Sequence, residues 1–305
     1  MYDDLIVLGA GPAGLAAGQY AGRAGVRVRV LEKGPSGGQM SDTFMVENYP
    51  GVGPIAGAEL AALMEEQAVK FGAVITRAEV SSVRRDEQGF SLRTDSGTEY
   101  KCRALIVALG ASPTKLGIPG ESEFTGKGVS YCAICDAPFY RDREVAVVGG
   151  GDSAVEESVY LARFVSAVHI IHRRDRLRAI REIQEKAFRE PKIQIHWSHI
   201  PVAILGKDGV EAIRIRSVKD GSEKDLPVYG VFFYVGLRPN SLEGLADLVK
   251  TDERGFIITD ENMGCGIPGL FAAGDVRAKR LRQIATAVGD GALAANMAQQ
   301  YLESL

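Results

Sequence analysis

Three observations predict an α/β chain in which a parallel strand–helix–strand unit occurs twice, the second copy set inside the domain built around the first. The segment Leu5–Glu32 aligns without a gap on Val145–His172, so that Gly9 falls on Gly149, Gly11 on Gly151 and Gly14 on Ala154. Further along, Tyr20 falls on Tyr160, Arg23 on Arg163 and Val28 on Val168. Each copy reads as a β-branched run, a glycine turn, an amphipathic stretch and a second β-branched run, the pattern of a parallel βαβ unit. Turn-rich stretches, Ser112–Gly120 and Gly236–Ser241, flank the second copy.

The chain has 305 residues, enough for two domains at about 150 residues each. Lys and Arg total 36, Asp and Glu 39, and the net charge is −3, which speaks against a nucleic-acid-binding surface or an acidic tail. Glycine is the anomaly, at 36 residues against a usual ~7%. No collagen period accompanies it, so the glycines are expected in tight turns and close backbone approaches. No apolar run approaches the ~18 residues of a membrane helix, and the acidic start Met1-Tyr2-Asp3-Asp4 does not resemble a signal peptide. Four cysteines are too few for a disulfide scaffold, and the expected compartment is the cytoplasm.

The first copy opens on an apolar strand and turns through Gly9-Ala10-Gly11-Pro12-Ala13-Gly14 into a helix. In a G-x-G-x-x-G/A turn the first glycine permits the tight bend. The second lets a pyrophosphate approach the backbone, and the third, or an alanine, permits close helix–strand packing. The helix start then offers free N–H groups to the phosphates. Gly149, Gly151, Asp152, Ser153 and Ala154 repeat the arrangement in the second copy. Two such turns in register predict two Rossmann-like dinucleotide-binding domains.

The residue closing each second strand separates the two nucleotides. Glu32, 18 residues after Gly14, suits a ribose hydroxyl. Its counterpart is His172, followed by Arg173 and Arg174, with Arg178 one helical turn further on. A carboxylate there repels a 2′-phosphate and guanidiniums clasp it. The first site is therefore expected to take an adenosine with a free ribose and the second NADP(H). The bland alternative for the arginine run is a solvated face; Asp175, Glu182 and Glu185 interleave with it and speak against nucleic acid.

The predicted layout is a discontinuous first domain, residues 1–112 and 241–305, and an inserted second domain, residues 113–240. The strand Ala104–Ala108 precedes the first crossing. A short buried strand near Phe271 ends in the acid Asp275, and a long helix from about Gln283 to Leu302 closes the chain.

Ahead of the strand Glu144–Val148 lies Cys132-Ala133-Ile134-Cys135. A C-x-x-C forms a small, readily reduced disulfide. It also serves as half of a zinc site, or packs as two inert thiols. Cys102 and Cys265 are single and distant, and the four histidines show no ligand spacing, so zinc is disfavoured and no metal is expected. Asp136 is a candidate proton donor to a departing thiolate; its plain alternative is an exposed acid at a helix start. Cys102 and Cys265 read as packing residues.

These motifs, with Gly37-Gly38-Gln39, Val46-Glu47-Asn48-Tyr49-Pro50-Gly51, Gly274-Asp275 and Arg282-Gln283-Ile284, resemble the low-molecular-weight, bacterial-type thioredoxin reductases over essentially the whole chain. The resemblance implies FAD in the first site and NADPH in the second, a homodimer, and thioredoxin as the protein substrate. It implies flavin contacts at Gln39 and Asn48, and Asp275 on the ribityl and pyrophosphate region. Arg282, Gln283 and Ile284 are implied beside the flavin pyrimidine, where a helix start stabilises negative charge near N1. It further implies that Cys135 faces the flavin and Cys132 attacks the substrate disulfide. Two positions depart from the family: Leu109 replaces a common threonine, and Pro138 replaces one of two aromatics that help dock thioredoxin. The cysteines and the NADPH turn share the inserted domain yet serve one flavin, so a rotation about the two crossings is expected. Reduction of another disulfide carrier, and a non-catalytic flavin sensor, are the alternatives.

Overall fold

The computed structural model describes residues 2–305 other than Asp42, Phe44, Met45 and Glu47; within the helix 133–136 the side chains of Ile134 and Cys135 also lie outside the described residues. In chain order the first stretch runs β1 (Tyr2–Leu8), α1 (Pro12–Arg23), β2 (Val28–Glu32), α2 (Gly57–Lys70), β3 (Val74–Arg77), β4 (Val80–Asp86), β5 (Gly89–Thr94), β6 (Glu99–Val107) and β7 (Ala111–Pro113). The second stretch holds β8 (Val129–Ser130), α3 (Ala133–Asp136), β9 (Glu144–Gly149), α4 (Asp152–Leu161), β10 (Ala167–His172), α5 (Arg181–Arg189) and β11 (Ile193–Trp197). It continues through β12 (His199–Gly206), β13 (Val210–Ser217), β14 (Glu223–Pro227) and β15 (Gly230–Tyr234). The return comprises β16 (Leu237–Pro239), β17 (Leu270–Ala272) and α6 (Ile284–Glu303).

The chain divides into two compact units, 1–112 with 238–305, and 113–237. Asn240 belongs to the first by its bonds: its backbone N–H donates to Gly110 O at 3.0 Å and its Nδ2 to Leu109 O at 2.8 Å.

In the first unit the main sheet runs in the order β3-β2-β1-β6-β5-β4, with β17 on β6. Strands β1, β2, β3, β6 and β17 are parallel, while β4 and β5 form an antiparallel hairpin on β6. Central β1 is apolar throughout Leu5–Leu8 because both of its faces are covered. Small residues let α1 and α6 meet closely. Ala287, Gly291, Ala294, Ala295 and Ala298 form one buried stripe of α6, and a Cβ on Gly291 would lie 2.0 Å from the Ala13 carbonyl.

In the second unit the order β11-β10-β9-β15-β8 is parallel throughout, and β12-β13-β14 form a separate antiparallel sheet. The internal repeat is reproduced in register: Leu5 pairs with Val28, and Val145 with Val168. Among the described residues no helix is long and apolar enough to cross a membrane.

Candidate active site

The first glycine turn is shaped by contact rather than by freedom alone. Gly9 has φ +100°, and a Cβ there would lie 2.5 Å from Ala108 O. A Cβ on Gly14 would lie 1.7 Å from Gly9 O, so an alanine is excluded here although Ala154 fills the same place in the second turn. Gly14→Ala is expected to displace the turn and lower stability by about 1–3 kcal/mol, an overpacking cost. Thermal unfolding with a flavin count checks this; a variant of unchanged midpoint and flavin content contradicts it. Gly11, by contrast, faces open space within 4 Å. It starts α1 with no side-chain cap and no acid in the first turn, with Pro12 and Ala13 as the first helical residues. Glu32 closes the loop: its carboxylate accepts from Ala10 N at 2.8 Å and from Gly34 N at 3.0 Å.

Several residues from the return lie against this turn. A Cβ on Gly274 would meet the Ala13 side chain at 2.8 Å. Asp275 Oδ1 is buried and accepts no hydrogen bond; Lys279 Nζ stands 3.5 Å away. Burial raises the Asp275 carboxyl above the usual range, opposed by Lys279 and Arg282. Asp290, on α6, accepts from Gly274 N at 3.0 Å and pairs with Lys279 at 3.0 Å and Arg277 at 2.8 Å. Arg282 packs on the Phe256 ring at 3.9 Å and donates to the carbonyls of Arg277 and Lys279 at 3.0 and 3.2 Å. Gln283 caps α6 reciprocally with Thr286, and Ile284 is the first helical residue. Asn48 Nδ2 donates to Gln283 Oε1 at 3.0 Å, and Gln39 Nε2 donates to Ala111 O. Glu47 lies outside the described residues.

In the second turn a Cβ on Gly149 would meet Ala154 Cβ and Tyr234 O, both at 2.7 Å. At Gly151 the nearest neighbour of such a Cβ is Arg178 Nη2, at 3.8 Å. The basic segment is joined to the turn by backbone bonds. Arg178 N and Ala179 N donate to Gly150 O at 2.6 and 3.2 Å, and Ile180 N donates to Asp152 Oδ1 at 2.7 Å. Arg173, Arg174, Arg176 and Arg178 are exposed, and among the described residues none forms an ion pair. Ser153 is exposed as well. His172 is buried rather than turned outward with the arginines.

Cys132 is held in a disulfide, whereas Cys102 and Cys265 are free and buried. Burial pushes the Cys265 thiol up to about 12 and the Cys102 thiol higher still, so both stay protonated. Cys132 immediately precedes α3. Its N–H donates to Ser130 Oγ at 3.0 Å, its carbonyl accepts from Asp136 N at 3.2 Å, and Ala133 N donates to the Tyr234 hydroxyl at 2.7 Å. Upstream, the buried Glu121 carboxylate accepts from Leu116 N, Gly117 N and Tyr131 Oη. Downstream, Pro138 is exposed and Phe139 is 80% exposed.

A family model described as pyridine nucleotide-disulphide oxidoreductase matches residues 3–291. The chain belongs to this family. Among its relatives, a thioredoxin reductase of Listeria innocua is 49% identical over 99% of this chain and 94% of its own length. One of Treponema pallidum is 45% identical over 99% and 98%. The crystal structure of Lactococcus lactis thioredoxin reductase superposes with TM-score 0.90 at 44% identity, covering 99% of this chain and all of that one. As a pyridine nucleotide-disulphide oxidoreductase of the bacterial thioredoxin reductase type, the chain is an oxidoreductase.

Both turns fit the nucleotides of such an enzyme. The first offers an uncapped helix start, an open face at Gly11 and, at Asp275, a buried carboxylate oxygen that accepts no hydrogen bond among the described residues. The second offers an open face at Gly151 beside a guanidinium. Sequence reasoning missed Glu121, Tyr234, Lys279, Asp290 and Glu157. Asp290 carried one signal, an acid on the helix that supplies an apolar stripe. Glu157, on α4, has Oε2 buried without a hydrogen bond, and burial, with Glu156, raises its carboxyl to about 7. Its folded pKa lies above the unfolded one, so its stabilising share is full at low pH and is lost as pH rises through 7. Glu157→Gln is expected to be more stable than the unmodified chain at pH 8, by about 1–3 kcal/mol, and equal to it near pH 4. Denaturant unfolding at the two pH values checks this; an equal difference at both contradicts it.

Proposed function

We propose that this chain is an NADPH-dependent flavoprotein that reduces the disulfide of thioredoxin. The reading rests above all on Cys132, which is disulfide-bonded at the head of α3 in the unit that carries the basic glycine turn. The thioredoxin reductases at 45–49% identity support it. FAD is assigned to Gly9, Gly11, Pro12, Ala13, Gly14, Glu32, Gln39, Asn48, Asp275, Arg282, Gln283 and Ile284, and NADPH to Gly149, Gly151, Ser153, Ala154, Arg173, Arg174 and Arg178. A flavin held there would supply the chemistry of hydride acceptance from NADPH and two-electron transfer to a disulfide.

The partner of Cys132 is Cys135 in this reading. Cys132 attacks the protein disulfide and Cys135 resolves the mixed disulfide. Asp136 follows Cys135 directly and delivers the proton that a departing thiolate needs. The exposed Phe139 supplies an apolar contact for the protein substrate. The enzyme works as a homodimer in the cytoplasm.

The test is NADPH oxidation by the FAD-loaded chain against a panel of oxidised thioredoxins and glutaredoxin-like proteins. Rapid, thioredoxin-dependent oxidation is expected. Turnover with glutaredoxin-like proteins alone would move the assignment to another disulfide carrier, and no acceleration by any protein disulfide would overturn it.

A further inference from the structure

By sequence, His172 joins Arg173 and Arg174 in the clasp for a 2′-phosphate. Its surroundings contradict a role as a cation there. The residue is 5% exposed, and its ring lies where a side chain on Gly150 would stand: a Cβ there would be 2.3 Å from Nδ1 and 2.4 Å from Cε1. Gly150 is therefore a glycine for want of space. His172 Nε2 is 2.9 Å from the Arg176 carbonyl, an atom that only accepts, so Nε2 carries the hydrogen. The Trp197 ring covers the imidazole edge-on at 6.4 Å between centroids. Burial holds its pKa down, against backbone hydrogen bonds to Arg176 and Gly149, and Arg178 and Arg174 push it the same way as burial.

The internal repeat supplies an independent comparison. Gly150 and His172 stand where the first unit has Ala10 and Glu32. There, too, the strand-end side chain holds the middle of the glycine turn, because Glu32 Oε2 accepts from Ala10 N at 2.8 Å. Both strand-end residues thus act on their own turn. In the second unit the Arg176 carbonyl hangs from the same imidazole, and two residues later Arg178 N and Ala179 N close on Gly150 O. Asp152 completes the arrangement through Ile180 N.

We propose that His172 is a positioning residue for recognition of a nucleotide 2′-phosphate: a buried imidazole, seated under Gly150, that holds the Arg176 carbonyl and so sets residues 173–178 against the second glycine turn. The phosphate contacts in that clasp come from the exposed arginines alone. This inference rests on the NADPH assignment made above.

Calorimetric titration of the FAD-loaded chain with adenosine 2′,5′-bisphosphate and with 5′-AMP tests it without turnover. The unmodified chain prefers the bisphosphate. His172→Gln keeps an N–H donor near the Nε2 position and is expected to retain that preference within about threefold. His172→Leu removes the donor and is expected to lose about tenfold or more of it, the range of one arginine–phosphate hydrogen bond lost from a displaced clasp. Loss of the preference in the Gln variant as large as in the Leu variant would show that the imidazole itself is required and overturn the proposal, as would full preference in the Leu variant.

A second measurement needs no folded Leu variant. In nitrogen-15 histidine spectra of the unmodified chain, the His172 signal, identified by its absence from the Gln variant, is expected to titrate below the ordinary imidazole range with and without bisphosphate. A pKa that climbs into this range on binding would make His172 a phosphate ligand and overturn the proposal. An unmodified chain with no preference for the bisphosphate would sink the NADPH assignment and this inference together. A preference intact in the unmodified chain but lost in the Gln variant sinks only the role of His172.

Discussion

Replacing Cys132 or Cys135 by serine is expected to lower thioredoxin reduction by roughly 10³-fold or more, because in the proposed relay each sulfur takes part in a covalent step. The two variants should differ in what they leave behind. With Cys135 replaced, Cys132 remains free to attack, and it should trap a thioredoxin that lacks its own resolving cysteine as a stable mixed disulfide. With Cys132 replaced, the proposed arrangement leaves the Cys135 thiolate beside oxidised flavin, which should give a long-wavelength absorbance band. Both variants should still consume NADPH with an artificial acceptor, since hydride transfer precedes the cysteine chemistry. A trap formed by the Cys132 variant and a band in the Cys135 variant would reverse the roles. Full disulfide reductase activity in either variant would rule out electron flow through this pair.

Replacing Arg173 and Arg174 together by alanine is expected to raise KM for NADPH by about tenfold or more for each charge-assisted hydrogen bond removed, and to leave KM for NADH nearly unchanged. Both side chains are exposed beside a turn whose open face at Gly151 already has Arg178 at its edge. Exposed guanidiniums that form no ion pair among the described residues give up no such partner when a phosphate arrives, so the added nucleotide charge is what they discriminate. Steady-state kinetics with each nucleotide checks this. Equal use of NADPH and NADH by the unmodified chain would contradict the assignment.

The doubled architecture was legible because its signal is local. A glycine turn between a strand and a helix declares itself at three positions, and the ungapped repeat predicts the equivalent pairings Leu5 with Val28 and Val145 with Val168 that the sheets display. What stayed hidden is tertiary. Nothing in the run His172-Arg173-Arg174 shows that its first member is buried beneath a glycine 22 residues earlier while the next two are exposed. Nothing in Arg282-Gln283-Ile284 shows that the Arg282 guanidinium meets Phe256 and three carbonyls of its own loop. Asp290 and Glu121 are single acids in unremarkable contexts; their roles as acceptors for Gly274 N, and for Leu116 N and Gly117 N, exist only once the chain has folded. Alanine at the third turn position is permitted by the general pattern, and only the 1.7 Å approach at Gly14 distinguishes the first turn from the second.

The most direct test of the relay is an anaerobic reductive titration of the FAD-loaded chain, followed by flavin absorbance, beside the same titration of Cys132→Ser. A flavin and a disulfide in series each hold two electrons. The unmodified chain should therefore take up about four electrons per chain before the flavin is fully bleached, and the variant about two. Equal uptake of about two electrons by both would show that the disulfide at Cys132 never receives electrons from the flavin, and would contradict the relay.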